Sequence, residues 1–166
     1  MKLIFIRHAH AEGNFMEDPD QDMLRELTVK GIKAFKTNLK SMQNVLPVPD
    51  VVFCSPLVRS IQTAEIVWEA WPSADLELIT DLHLLDDPHH LVEYISFLPQ
   101  EGTYCFVGHE PHFSSVIGSL LGLHPEHDFL RFKKGGFLTL EGGFWEGFMM
   151  TMFAPPTLVR GLTGED

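Results

Sequence analysis

Apolar positions along the chain change period several times. Leu3-Ile4-Phe5-Ile6 is a short continuous run, as expected for a strand covered on both faces. From Thr28 the spacing becomes helical. Val29, Ile32, Phe35, Leu39 and Met42 share one stripe, Lys30, Lys33, Lys36 and Lys40 lie off it, and Pro47 and Pro49 stop the helix. Residues 51–54 read as a second buried strand. Ser55-Pro56 then reads as an N-cap with proline at the first helical position, ahead of an apolar face of Leu57, Ile61, Ala64, Trp68 and Trp71. Asp87-Pro88 repeats that signal, followed by Leu91, Val92, Ile95 and Leu98. Residues 104–107 form a third buried run ending at Gly108-His109, and Pro111 opens a helix carrying Phe113, Val116, Ile117, Leu120 and Leu121. In the last third, residues 137–140 and 148–153 read as two strands joined through Gly142-Gly143. There is no internal repeat and no linker. The alternation predicts a single α/β domain over residues 1–166, a three-layer sandwich with a mostly parallel sheet and helices on both faces.

Composition agrees with one packed domain: 166 residues, 45% of them hydrophobic, with 13 Phe and 3 Trp, provide enough apolar area to exclude disorder. Twelve basic residues against 23 acidic leave a formal charge of -11, which repels nucleic-acid phosphates and argues against a nucleic-acid partner. Cys54 and Cys105 both sit in apolar runs and read as buried thiols, not a disulfide or a metal pair. The N-terminal apolar run is too short for a signal peptide, and no segment reaches the roughly 18 apolar residues of a membrane span. The expectation is a cytoplasmic protein with no membrane partner.

In so acidic a chain, a cluster of Arg and His is informative. Ligands of open parallel sheets bind at the carboxyl ends of the strands. The first strand ends in Arg7-His8. The second ends in Cys54-Ser55-Pro56 with Arg59 just beyond, and the third ends in Gly108-His109 before a helix N-terminus. Each pair alone is unremarkable, and an Arg in a first helical turn is even mismatched to the helix dipole. Together they suit a phosphoryl group. Guanidinium forks match its oxygens, helix N-termini favour anions, and a neutral imidazole can attack phosphorus.

These residues resemble a known family. Arg7-His8-Ala9 is similar to the RHG signature of the histidine phosphatase (phosphoglycerate mutase-like) superfamily. The segment from Ser55-Pro56 through Arg59 to Gln62-Thr63-Ala64 resembles its SP-x-x-R-x-x-QTA block, and Val107-Gly108-His109-Glu110-Pro111 its third block. The short length, the Leu27-Thr28-x-x-Gly31 turn and the tail (KKGGFLTLE, then FAPPTL) are similar to SixA-type phosphohistidine phosphatases. The resemblance covers nearly the whole chain and implies the phosphoglycerate mutase-like fold. It implies that His8 is the nucleophile that becomes phosphohistidine, with Arg7, Arg59 and His109 completing a phosphate-binding quartet and Asn14 as a secondary phosphate ligand. It further implies that no metal and no cofactor is required, since these cations supply the positive charge. Ala9 departs from the usual Gly.

The candidate general acids are Asp86 and Asp87, of which Asp87 reads as a helix cap and Asp86 could face the pocket; Glu12 is a weaker third. His109-x-x-His112, His124-x-x-His127 and His89-His90 lack clustered carboxylate or thiolate partners, which argues against a metal. Lys133-Lys134 reads as a solvated turn or as a rim contact for an anionic substrate. The expected function is metal-independent phosphatase action through a covalent phosphohistidine, on phosphohistidine in a protein partner. The alternatives are hydrolysis of a small phosphate ester, or a phosphate- or phosphoprotein-binding module without turnover. The expected state is a monomer.

Overall fold

The computed structural model describes residues 1–13, 18–123 and 130–163. In chain order the elements are β1 (Lys2–Arg7), α1 (Pro19–Met23), α2 (Val29–Met42), β2 (Val51–Cys54), α3 (Val58–Ala70) and β3 (Asp75–Leu78). A 3₁₀ turn at Thr80–Leu82 leads to α4 (Pro88–Phe97), β4 (Thr103–Gly108), α5 (His112–Leu120), β5 (Phe137–Gly143), β6 (Gly147–Ala154) and α6 (Pro156–Thr163). The strands make one sheet in the order β3-β2-β4-β1-β5-β6. The first four run parallel, while β5 is antiparallel to both of its neighbours.

The continuous apolar runs resolve into two alternating sets, as the period of a strand requires. Ile4, Ile6, Val52, Cys54, Cys105 and Val107 face a core completed by α2, α3 and α6. Leu3, Phe5, Phe53, Tyr104 and Phe106 face the opposite core, closed by α4 and α5. Register lines up the aromatics of the second face, with Phe5 and Phe53 both opposite Phe106. Their rings stack at 5.4 and 5.3 Å, and Phe113 from α5 meets Phe5 edge-on at 5.2 Å. Each such buried ring contributes about 1.5–3 kcal/mol of transfer free energy. The three-layer sandwich is therefore as the periodicity predicts, and both cysteines are buried free thiols.

Several local expectations differ. Helix α3 begins at Val58, with Leu57 as an N-cap that makes no side-chain bond, so Ser55 is not its cap. The Ser55 hydroxyl is drawn instead toward His109. The hairpin turns over residues 144–146, because Gly142 and Gly143 remain paired inside β5. Val29 and Trp68 are exposed despite their place in the pattern. Strand β3 carries no apolar run: all four of its residues are exposed at the sheet edge. Helices α1 and α6 likewise are not among the elements the sequence predicts.

One glycine is fixed by close approach. The Thr28 hydroxyl caps α2 by accepting from the Gly31 N–H at 2.8 Å, while the Thr28 N–H donates to the His10 carbonyl at 2.9 Å. A methyl at Gly31 would lie 2.3 Å from that carbonyl oxygen. Gly31→Ala is therefore expected to destabilise the protein by about 1–3 kcal/mol through overpacking, despite alanine's better helix propensity. Urea unfolding checks this, and a wild-type midpoint would show that the His10 segment yields freely.

Candidate active site

The parallel register sets three strand ends level. Arg7 lies opposite Gly108 and Cys54 opposite Val107. The ladder continues one step further, with the His8 N–H donating to Gly108 at 3.0 Å and the Ser55 N–H to Val107 at 3.1 Å. The residues that follow each strand are thereby brought to one edge. His8 and His109 meet there with ring centroids 5.0 Å apart, both almost fully buried.

His8 is oriented by its neighbour. Its Nδ1 lies 2.7 Å from the Ala9 carbonyl. A carbonyl only accepts, so Nδ1 carries the proton and Nε2 is left with its lone pair. Ala9 is itself held from α3: its N–H donates to the Thr63 hydroxyl at 3.1 Å, and that hydroxyl donates to the Arg59 carbonyl at 2.7 Å. On the same helix, Gln62 accepts from the Leu27 N–H at 2.7 Å, which ties down the strand of chain before α2. Burial, with the charges of Arg59, Arg7 and Lys134, pushes the His8 pKa down to about 3 even against the Ala9 bond. Burial also holds His109 well below the ordinary histidine value, with smaller contributions from His8 and Arg59. The His109 Nε2 sits 2.8 Å from the Ser55 Oγ, and Nδ1 is buried without a partner.

Arg59 is 2% exposed, and its charge is balanced from a distant part of the chain. One terminal nitrogen donates to the Asp22 carbonyl at 2.6 Å and the other to the Asp22 carboxylate at 3.0 Å. The second Asp22 oxygen accepts from Arg25 Nε and a terminal nitrogen, both at 2.8 Å. Arg7 donates to the Phe132 carbonyl at 2.6 Å. The Glu110 carboxyl acts on Arg7 electrostatically, and its own pKa is raised by burial although Ser114 bonds and Arg7 pull it down. Arg7 Nε and Arg59 Nε are both buried without partners. With His109 Nδ1, three members of the expected quartet thus hold unsatisfied polar nitrogens, the donor set an oxyanion requires. The uncapped first turn of α3 adds its own positive end.

Other expected residues fall elsewhere. Asn14 lies outside the described residues, as do His124 and His127. Asp87 is the N-cap of α4, accepting from the His89 N–H at 2.9 Å. Asp86 pairs with His90 at 3.1 Å, and neither carboxylate bonds to any of the four quartet residues. Glu12 is exposed. Lys134 is half-buried, and its pKa is lowered by burial and then by Arg7, Arg25 and Arg59, so it belongs to the rim of the site. Among the described residues no group of three His, Cys, Asp or Glu could hold a metal ion, and no helix is long and apolar enough to cross a membrane. Sequence reasoning missed Asp22, Arg25, Ser55, Thr63 and Glu110 as site residues. Ser55, Thr63 and Glu110 sit inside the motif segments, whereas Asp22 and Arg25 lie in no motif.

Comparison with known proteins places the chain among its relatives. The model of the histidine phosphatase superfamily (branch 1) matches residues 3–86. No curated protein matches the chain. The structure of the protein histidine phosphatase SixA complexed with tungstate is similar with a TM-score of 0.80 and 19% identity, covering 95% of this chain and 98% of that one. Phosphoserine phosphatase from Entamoeba histolytica, in complex with phosphoserine, gives 0.73 at 17% identity, covering 95% and 98%. A mycobacterial glucosyl-3-phosphoglycerate phosphatase gives 0.73 at 14% identity, covering 93% and 99%. The fold is the phosphoglycerate mutase-like fold.

Two outcomes follow from the buried charges. Between the unfolded histidine value near 6.5 and the lower folded values, the unfolded chain binds protons that folded His8 and His109 refuse. Stability is then full above that value and falls as the pH drops below it, by about 1.4 kcal/mol per pH unit for each group. Denaturant titrations between pH 7.5 and 5 measure the slope, which should flatten in His8→Ala. Asp22→Ala leaves two guanidiniums without their anion and should cost about 3–5 kcal/mol. Inorganic phosphate should raise the Tm of that variant more than it raises wild type, because it restores negative charge beside Arg59. Equal shifts would place the phosphate elsewhere.

Proposed function

The chain belongs to the histidine phosphatase superfamily (branch 1), and we propose that it removes the phosphoryl group from phosphohistidine in a protein partner, by way of a covalent phosphohistidine at its own His8. The observation that carries this reading is the state of His8: Nδ1–H is committed to the Ala9 carbonyl, so Nε2 is an unprotonated nucleophile beside the half-buried Arg7 and the buried Arg59.

In the first step, Nε2 of His8 attacks phosphorus in line with the substrate's P–N bond. The new N–P bond forms as the old one breaks, and the departing imidazole keeps the electron pair and takes a proton from solvent. Arg7 and Arg59 hold the non-bridging oxygens. With the Ser55 hydroxyl donating to Nε2, His109 carries its proton on Nδ1 and donates it as a third hydrogen bond. Water then attacks the phosphorus, releasing inorganic phosphate and a proton and returning neutral His8. Imidazole leaves once protonated, which solvent can supply, so this substrate tolerates the engagement of Asp87 with α4 and of Asp86 with His90.

One observation favours a second reading, hydrolysis of a small phosphate ester. Burial raises the pKa of Glu110, Arg7 acts on it electrostatically, and a carboxyl at that edge of the site is a proton donor for an alkoxide leaving group whenever it is protonated.

Kinetics with a phosphohistidine peptide and an alkyl phosphate separate the two. His8→Ala should abolish turnover and the acid-labile phosphoenzyme, while retaining phosphate binding through Arg7 and Arg59; turnover at the wild-type rate refutes nucleophilic catalysis by His8. Wild type should favour the peptide in kcat/KM, and Asp86→Ala and Asp87→Ala should leave peptide turnover unchanged, Asp87→Ala losing about 1 kcal/mol of stability with its cap. A wild type that cleaves the ester as fast as the peptide, with Glu110→Gln slowing only the ester by about 10²–10⁴-fold, decides for the second reading.

A further inference from the structure

A pocket of about 690 Å³ opens directly beside Arg7, between α2, the segment after β1, the loop before β5 and the start of α6. Its lining is anomalous for this chain. The protein has 12 basic and 23 acidic residues, yet the pocket wall carries Arg7, Lys30, Lys133 and Lys134 and not one carboxylate. His10 shares the wall, and its pKa is lowered by burial and then by Lys134, Arg7 and Lys30, which places those three charges around one space. The inner wall is Phe35 and Asn38. Asn38 is 3% exposed, and its Oδ1 is buried with no hydrogen-bond partner. A buried carbonyl oxygen without a donor costs stability unless a guest supplies an N–H.

Arg7 belongs both to this pocket and to the phosphoryl site, so a molecule seated at His8 reaches the pocket without leaving the protein surface. With a net charge of -11, the protein repels acidic segments except where local cations invert the field. We propose that this pocket is a specificity subsite for an acidic side chain, Asp or Glu, that neighbours the phosphohistidine in the substrate protein. The inference rests on the phosphohistidine reading above and adds to it the sequence context of the target. Lys30 and Lys133, both exposed at the rim, and Lys134 attract the carboxylate, while Asn38 Oδ1 on the inner wall accepts from a backbone N–H of the same segment.

The test uses three substrates: a phosphohistidine peptide with flanking Asp and Glu, the same peptide with Asn and Gln, and phosphoramidate, which has a P–N bond but no second anion. Wild type should prefer the acidic peptide about tenfold in kcat/KM, expressed in KM, the effect of one partly shielded ion pair. Added salt should erode that preference. The double variant Lys30→Ala/Lys133→Ala should erase it without altering phosphoramidate turnover, and Lys30→Glu should reverse it; both positions are exposed, so the fold is not at stake. Equal kcat/KM for the two peptides in wild type, or a preference that survives the double variant, overturns the subsite while leaving the phosphatase reading intact. A wild type that cleaves none of the three P–N substrates overturns both.

Discussion

A guanidinium that is almost wholly buried must find an anion, and Arg59 meets that demand through Asp22, 37 residues away in sequence. Most of the site's organisation follows from that pairing. The two terminal nitrogens of Arg59 are committed to Asp22, which fixes the plane of the fork and leaves Nε over. Arg25 shares the same carboxylate, so one negative charge is divided between two cations and neither is fully neutralised. Burial first, and then the residual positive charge of Arg59, holds both imidazoles below the ordinary histidine value, with Arg7 and Lys134 adding to the effect at His8. A neutral His8 is a nucleophile, whereas a protonated one is not. The burial that costs stability is therefore the same burial that leaves the Nε2 lone pair of His8 free.

The second requirement is angular. A histidine at a strand end has freedom at both χ angles, and here that freedom is removed by a relay from the neighbouring helix. Thr63 on α3 holds the Ala9 N–H, and the Ala9 carbonyl holds His8 Nδ1. Parallel register does the rest, since a one-residue slip of β4 against β1 would carry His109 to the other face of the sheet. The pair of histidines 5.0 Å apart is thus a consequence of sheet topology as much as of local sequence.

What the chain discloses by itself follows from the range of each interaction. Buried strands announce themselves because both faces need apolar residues, and the quartet is legible because three strand ends repeat one chemistry. Asp22 carries no such mark. It lies on a five-residue helix with no apolar period, and only tertiary packing brings it to Arg59. Strand β3 is invisible for a related reason: at an exposed edge its Asp75-Leu76-Glu77-Leu78 buries nothing, and backbone pairing with β2 alone defines it. Ser55 misleads in the opposite direction. Its place before Pro56 satisfies the rule for a cap, but the imidazole of His109 is the stronger partner for its hydroxyl.

The similar structures divide the molecule into a shared part and a distinctive one. A protein histidine phosphatase, a phosphoserine phosphatase and a glucosyl-3-phosphoglycerate phosphatase have this fold at 14–19% identity, so the fold does not choose the leaving group. The phosphoryl end has the same oxygens in every phosphate ester or phosphoramidate, and in the proposed mechanism Arg7, Arg59 and His109 address only those. Selection must come from groups that the leaving group meets on its way to His8. Around this site those groups are of two kinds: the acid Glu110 beside Arg7, and the cationic wall of Lys30, Lys133 and Lys134. An acid acts on the bond being broken, so it enters kcat for a poor leaving group and is nearly silent for a good one. A cationic wall acts on charge remote from that bond, so it enters KM whatever the leaving group is. Because the two act on different kinetic constants, the proposed acid and the proposed subsite assign the chemistry accepted and the context of its acceptance to separate residues.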